Sequence, residues 1–208
     1  MTSMNAHARV AGALLLLAMA ASIIGGTMIQ SVTDQPDLVR AVMDGKQTLG
    51  FGVVLELVNA LAVIGIAVAL WKPLKQQSPT LAAGYLSVRT LEAGACSAAA
   101  FVPLTMLATQ SDSATLSMIA VRATMTDYAV PLYFSIGGIL LYITLYRSNL
   151  VPKYIAIWGM IAVPAVMLTM VVSVSALQPV LALPIILNEI YLGIYLLVKG
   201  FRERGRSS

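Results

Sequence analysis

The sequence predicts an all-α fold, an integral membrane bundle of six transmembrane helices, on the strength of three observations. Of its 208 residues, 59% are hydrophobic and 11% are charged, whereas soluble domains carry about 25% charged residues. Nearly the whole chain divides into apolar runs of about 20 residues, the length that crosses a hydrocarbon core of about 30 Å. The connections are too short for a second domain, so we expect one domain over residues 1–208.

The first apolar run, residues 10–29, is predicted to span the membrane. It continues unbroken beyond the roughly 7–15 residues of a signal-peptide core, so we interpret it as a span rather than a cleaved leader. The polar segment Ser31–Gln47 follows, and its Val39, Val42 and Met43 predict a short helix lying at the membrane surface.

The second and third spans are predicted over residues 51–71 and 81–107. The basic turn Lys72–Lys75, which contains Pro73, is expected to end the second span. The third span carries Arg89 and Glu92 near its middle, although the rest of it is apolar or small.

The fourth span is predicted over residues 127–146. The preceding stretch 115–126 is mildly apolar but contains Arg122, so we expect it to be the outer, partly wet beginning of one long helix. Pro131 lies near the start of the span, where a missing backbone donor predicts a kink.

The fifth and sixth spans are predicted over residues 154–177 and 180–198. Pro152 suits the first turn of the fifth helix, and Pro164 interrupts that helix. The sixth contains Asn188 and Glu189 near its middle.

The distribution of basic residues predicts the orientation of the bundle. Three basic residues lie in the connections of one side, where four aspartates accompany them. The opposite connections and the two ends hold nine: Arg9, Lys72, Lys75, Arg147, Lys153, Lys199, Arg202, Arg204 and Arg206. Positive residues stay in the cytoplasm, and an even number of spans brings both termini there. We therefore expect a multi-pass protein of the inner (plasma) membrane with cytoplasmic N- and C-termini.

The composition also limits the chemistry. Cys96 is the one cysteine and His7 the one histidine, which excludes an internal disulfide and bis-histidine haem and argues against a metal centre. The net charge of +4 comes from residues at helix ends, so we expect no nucleic-acid partner. We predict no cofactor and no metal, with membrane lipid as a partner.

Five ionisable side chains interrupt the apolar runs: Glu56, Arg89, Glu92, Asp127 and Glu189. A charge in the bilayer centre costs several kcal/mol, so such residues usually face the bundle interior and mark a working site. Asp127 is an exception, because its place at a helix entrance favours a wet interfacial residue or a cap.

Helical spacing assembles the remaining polar residues into one candidate site. Asn59 follows Glu56 by three residues, Glu92 follows Arg89 by three, and Tyr85 lies one turn before Arg89, so each set shares a helix face. Depth along the helices brings Asn188 and Glu189 to the same level. Tyr191 is close enough in sequence to Glu189 to act as a hydrogen-bond donor.

The charges of this site do not balance. Glu56, Glu92 and Glu189 oppose the single Arg89, which can hold one carboxylate firmly. The excess requires a proton, a cation or substrate, or entry of water.

Five segments resemble a family of bacterial polytopic membrane proteins catalogued as domain of unknown function number forty-three eighty-six. They are Arg9–Ala13 with Ile23–Gly26, Leu55–Ala67, Gly84–Glu92, Leu145–Gly159, and Leu183–Ile190 with Val198–Phe201. The resemblance covers essentially the whole chain and implies a membrane protein with Glu56, Asn59, Arg89, Glu92, Asn188 and Glu189 at motif positions. It implies no reaction, substrate or cofactor, and it does not extend to Asp127.

Three function classes fit these residues. The leading hypothesis is a binding or proton-linked permeation protein whose outward-opening cavity takes a small polar or cationic ligand. An alternative is an intramembrane enzyme that acts on a lipid or isoprenoid with a protonated carboxyl as general acid. A further alternative is a structural membrane scaffold, in which the polar residues only tie helices together.

Overall fold

Helices form every regular element in residues 3–109, 111–172 and 177–202, the parts of the chain that this computed structural model describes. The elements are α1 (Ser3–Thr33), α2 (Leu38–Asp44), α3 (Lys46–Lys75), α4 (Pro79–Met106), α5 (Asp112–Thr124), α6 (Val130–Ser148), α7 (Lys153–Thr169) and α8 (Leu177–Val198). A π-helical turn, Met125–Ala129, joins α5 to α6 without a break. The all-α prediction is confirmed for these residues.

Six of the helices form a closed ring. In order around it, α1 packs on α3, α3 on α4, α4 on α6, α6 on α7, α7 on α8, and α8 returns to α1. The short α2 and the polar-edged α5 lie together at one end, where the Val39 amide donates to the Asp112 carboxylate at 3.3 Å. We call this the α5 end of the bundle.

Several of these helices suit a bilayer. Four helical stretches are long and apolar enough to cross a membrane: Met4–Thr33, Lys46–Lys75, Asp112–Ser148 and Leu177–Val198. Helix α7 is apolar but shorter, and α4 is long but carries the Arg89 and Glu92 charges. The protein is therefore a membrane protein built as a helical bundle.

One expected helix end is wrong. The fifth span was expected to reach Leu177, but α7 ends at Thr169 and Leu177 begins α8, while residues 173–176 lie outside the described part of the chain. The basic turn Lys72–Lys75 does end α3, whose last residue is Lys75. A proline in the last helical turn removes one hydrogen bond, and the lysines there interact favourably with the helix dipole.

The surface helix predicted in the polar segment is α2. Its Leu38 and Val42 are buried, whereas Met43 is 51% exposed. The continuous helix predicted before the fourth span is also present, as α5, the π turn and α6. The π turn lies directly before Pro131, and the Val130 amide bonds to the Met125 carbonyl. Because proline has no amide to donate, the widened turn absorbs the disturbance that the sequence predicted as a kink.

The end of the bundle opposite α5 is closed by a packed apolar core. Large side chains that are almost completely buried fill it: Leu70, Leu74, Tyr85, Tyr142, Leu145, Ile155, Leu192 and Leu196. The two ends of the described chain also meet here, since Gly200 lies against Asn5 and the Arg202 amide donates to the Leu150 carbonyl at 2.8 Å. We call this the closed end.

Glycine lets α1 and α8 approach closely enough to complete the ring. A Cβ added at Gly12 would lie 2.5 Å from the Gly193 carbonyl oxygen and 2.7 Å from the Leu197 amide. Both neighbours are backbone atoms and cannot turn aside, so the contact requires a residue without a side chain.

We therefore expect Gly12→Ala to force α1 from α8 and lower the free energy of unfolding by about 1–3 kcal/mol, the usual range for overpacking. The measurement is the apparent melting temperature in detergent. Gly50→Ala is the matched control, because a Cβ at Gly50 meets no atom within 4 Å. Equal melting temperatures for the two variants would show that the close approach does not contribute to stability.

Candidate functional site

The centre of the site is an ion pair inside α4. Arg89 Nη1 donates to both carboxylate oxygens of Glu92, at 2.8 and 2.7 Å, and Arg89 Nε donates to the Tyr85 hydroxyl at 3.2 Å. All three residues are buried, and they share one face because they are three or four positions apart. Tyr85 thus orients the guanidinium from the closed end.

Aromatic rings hold the Arg89 guanidinium from two sides. Its central carbon lies 5.6 Å from the ring centroid of Tyr85 and 5.6 Å from that of Phe134, within the range of cation–π attraction. The Arg89 Nη2 group has no acceptor among the described residues. A guanidinium so placed is fixed in position yet retains donors for another partner.

A cavity of about 250 Å³ opens beside this pair and takes walls from α1, α3, α4, α6 and α8. Its polar side chains are Ser22, Asn59, Arg89, Glu92 and Glu189. The remaining wall is apolar: Leu15, Ala18, Met19, Ile23, Val63, Ile66, Cys96, Val130, Phe134, Ile185 and Ile186. We call this the inner cavity. No group of three His, Cys, Asp or Glu side chains in the described residues is placed to hold a metal ion.

Glu189 and Asn59 face the inner cavity without protein partners. Neither side chain makes a hydrogen bond or ion pair with a described residue, although Glu189 lies close enough to Arg89 and Glu92 to interact electrostatically with both. Since Glu92 already neutralises Arg89, the Glu189 carboxyl is the group whose charge the protein leaves unmatched.

Glu56 does not join this cluster, and the expectation that one arginine serves all the buried carboxylates is wrong. Arg122 of α5 forms a bidentate ion pair with Glu56, with Nη1 at 2.8 Å from Oε2 and Nη2 bonded to Oε1. Within this partly exposed helix the Arg122 side chain is 13% exposed, and that of Glu56 is 14% exposed. Helix α5 packs against α4, and Arg122 reaches Glu56 of α3.

A proline explains the third contact of Arg122. Its Nη1 also donates to the Ala99 carbonyl at 2.7 Å. Ala99 lies four residues before Pro103 in α4, and proline cannot donate the amide that this carbonyl would accept within the helix. The guanidinium of Arg122 supplies the missing donor and ties α5 to both α3 and α4.

Two further cavities extend the inner cavity toward the α5 end. A connecting cavity of about 160 Å³ is lined by Glu56, Asn59, Cys96, Ala99, Ser22, Thr126 and Val130. An outer cavity of about 410 Å³ is lined by Gln30, Thr33, Glu56, Arg122, Thr126 and Asp127 together with smaller or apolar residues. Asp127 is exposed and accepts from the Thr126 hydroxyl at 3.2 Å, so it lies at the outer cavity and not at the inner one.

Asn188 belongs to the bundle core. The Tyr142 hydroxyl donates to its Oδ1 at 2.6 Å, and its Nδ2 donates to the Ile155 carbonyl at 3.0 Å, which links α6, α7 and α8. Asn188 is fully buried and is absent from the wall of the inner cavity, which its neighbour Glu189 reaches. Adjacent helical residues point about 100° apart, and here the two side chains meet different neighbours.

Tyr191 does not donate a hydrogen bond to Glu189. Its hydroxyl lies 2.7 Å from that of Tyr154 on α7, and its ring lies near Trp158 on the exposed surface. The prediction that it donates to Glu189 is wrong, because two positions along a helix place the side chains on different faces.

The chain matches one protein family. The family model of a domain of unknown function, DUF4386, matches residues 10–200. The chain belongs to the DUF4386 family. For this DUF4386 protein no curated protein and no solved structure gives a match. The resemblance expected from the sequence is confirmed, and the family itself brings no assigned activity.

The hydrogen bond between Tyr142 and Asn188 yields a prediction about stability. We expect Tyr142→Phe to lower the free energy of unfolding by about 1–2 kcal/mol, because a buried amide oxygen loses its donor. Thermal unfolding of Tyr142→Phe, Asn188→Ala and the double variant gives the coupling between them. Strictly additive losses would contradict a direct bond. Tyr191→Phe is the control, because its hydroxyl partner lies on the exposed surface.

Proposed function

We propose that this membrane protein binds a small cationic ligand in the inner cavity and that a proton competes with the ligand for Glu189. The observation that carries the proposal is the Glu189 carboxyl, which faces an otherwise apolar cavity beside an arginine already paired within its own helix. Proton-linked permeation follows if the bound cation can leave toward the closed end.

The net charge of the cavity wall determines which sign of charge the ligand should carry. Arg89 contributes one positive charge, and Glu92 and Glu189 contribute two negative ones when ionised, so the wall is one positive charge short of neutrality. An isolated carboxylate in such surroundings is costly. A monovalent cation or a proton restores neutrality, and an anion would add to the imbalance.

The shape of the cavity limits the size and polarity of the ligand. At about 250 Å³ the inner cavity is slightly below the usual range of drug-sized sites, roughly 300–1,000 Å³. Most of its wall is aliphatic, with Phe134 and the Asn59 amide as specific contacts. These features suit an ammonium or guanidinium group attached to a short apolar body.

The arrangement in the membrane is part of this proposal. Six ring helices, with both chain ends and the basic connections at the closed end, support six crossings with cytoplasmic termini in the inner (plasma) membrane. The outer cavity then faces the opposite compartment. The lipid or isoprenoid enzyme and the scaffold stay predictions that no described contact specifically favours.

Uptake of tetraethylammonium into proteoliposomes tests the proposal. We expect Glu189→Gln to reduce uptake at low concentration about tenfold or more, since a charged contact contributes about 1.5–3 kcal/mol. Glu92→Gln should also reduce it, because Arg89 is then released to pair with Glu189. Asp44→Asn is the control, because this carboxylate is 74% exposed at the surface. Uptake that is equal in all four proteins would favour a scaffold.

The competition between proton and cation predicts a pH dependence. Protonation of Glu189 removes the attractive charge, so uptake by the parent should fall as the pH is lowered and recover as it is raised. The residual uptake of Glu189→Gln should lack this dependence. Identical pH profiles for parent, Glu189→Gln and Glu92→Gln would contradict proton competition at this site.

A further inference from the structure

The three cavities lie next to one another between the α5 end and Glu189, in the order outer, connecting and inner. The inner and connecting cavities share Ser22, Asn59, Cys96 and Val130 in their walls. The connecting and outer cavities share Ser22, Glu56 and Thr126. Because neighbouring cavities share lining residues, a ligand that passes from Asp127 to Glu189 along them meets Glu56 on the way.

The Glu56–Arg122 ion pair lies where the path passes from the outer to the connecting cavity. Glu56 lines both of these cavities, whereas Arg122 lines the outer one. Both carboxylate oxygens of Glu56 accept from Arg122, which leaves the passage electrically neutral at this point. A mobile cation must therefore replace the guanidinium before it can use Glu56.

Arg122 has a second acceptor and lies in a helix with few buried residues. It keeps the Ala99 carbonyl as an acceptor when Glu56 is occupied by another cation. Thr115 is the one residue of α5 that is fully buried, and the π turn begins three residues after Arg122. π turns are frequent at functional sites, and this one joins α5 to the ring.

We propose that the Glu56–Arg122 pair determines the charge selectivity of the path, with Arg122 as a resident cation that an incoming cation displaces from Glu56. The inference rests on the proposed function, since it supplies the route by which a cation reaches the inner cavity. Removing Arg122 exposes the carboxylate and favours cations. Removing the Glu56 charge exposes the guanidinium and favours anions.

Cys96 provides a test that does not depend on ligand binding at Glu189. This cysteine lines the inner and connecting cavities, beyond the ion pair as seen from the outer cavity. Membrane-impermeant methanethiosulfonates that carry a trimethylammonium or a sulfonate group are added outside sealed proteoliposomes. The ratio of their modification rates, cationic over anionic, measures the selectivity of the path.

We expect Arg122→Gln to raise the ratio about tenfold and Glu56→Gln to lower it about tenfold, a conservative size for one unscreened charge. The double variant should return toward the parent ratio. Cys96→Ser is the control for labelling of other sites. A fold that is merely loosened accelerates both reagents in every variant, which leaves the ratio unchanged and overturns the proposal.

Two further outcomes are informative. Absence of labelling in the parent and in all variants, under conditions in which the small neutral reagent methyl methanethiosulfonate labels Cys96, would overturn the continuous path. Opposite shifts of the ratio, together with no effect of Glu189→Gln on tetraethylammonium uptake, would support the selective pair and reject the inner cation site.

Discussion

The pairing of Arg89 with Glu92 inside one helix is the constraint on which the rest of the site depends. Because the arginine is satisfied by a residue three positions away, it cannot also neutralise the carboxyl of Glu189. Tyr85 and Phe134 lie against the guanidinium while it is paired with Glu92. The unmatched acid is thus a result of geometry, and the apolar walls around it make the imbalance energetically significant. By contrast, the Glu56 carboxylate is neutralised, because it forms an ion pair with Arg122.

Proline residues connect the backbone to the polar site. Pro103 leaves the Ala99 carbonyl without its helical donor, and the donor comes from Arg122, which thereby reaches Glu56 as well. The π turn through which α5 continues into α6 ends two residues before Pro131. The donor missing at Pro103 therefore positions the Arg122 side chain. The helix that carries Arg122 continues through the π turn next to Pro131. Within a bilayer a free carbonyl must find a partner in the protein, which is why such defects lie where polar side chains or cavities are available.

Hydropathy and helical spacing were sufficient to predict much of this molecule. Runs of apolar residues predicted the helices, and helical spacing predicted that Tyr85, Arg89 and Glu92 share one helix face. The sequence did not predict features that depend on which helix face points into the bundle or on how a connecting segment packs. Asn188 and Glu189 are adjacent in sequence but point to a packed core and to a cavity, a distinction that depends on the neighbours of α8. Arg122 was counted with the outer connections because its segment is only mildly apolar, and its pairing with Glu56 was not predicted. An arginine in a run of small and apolar residues, together with a proline-freed carbonyl in the preceding helix, was the available signal.

The local nature of the α4 pair also has a consequence for biogenesis. A helix that holds both an arginine and its glutamate partner one turn away enters the bilayer as a nearly neutral unit, whatever helices have already been inserted. The two charges of α4 therefore need no partner from another helix during translation. The Glu56 and Arg122 charges lack this independence, since they lie 66 positions apart and meet after the later helix has been synthesised. The Glu56–Arg122 pair at the α5 end therefore forms only after α5 has been synthesised. The Arg89–Glu92 pair can form as soon as α4 leaves the ribosome.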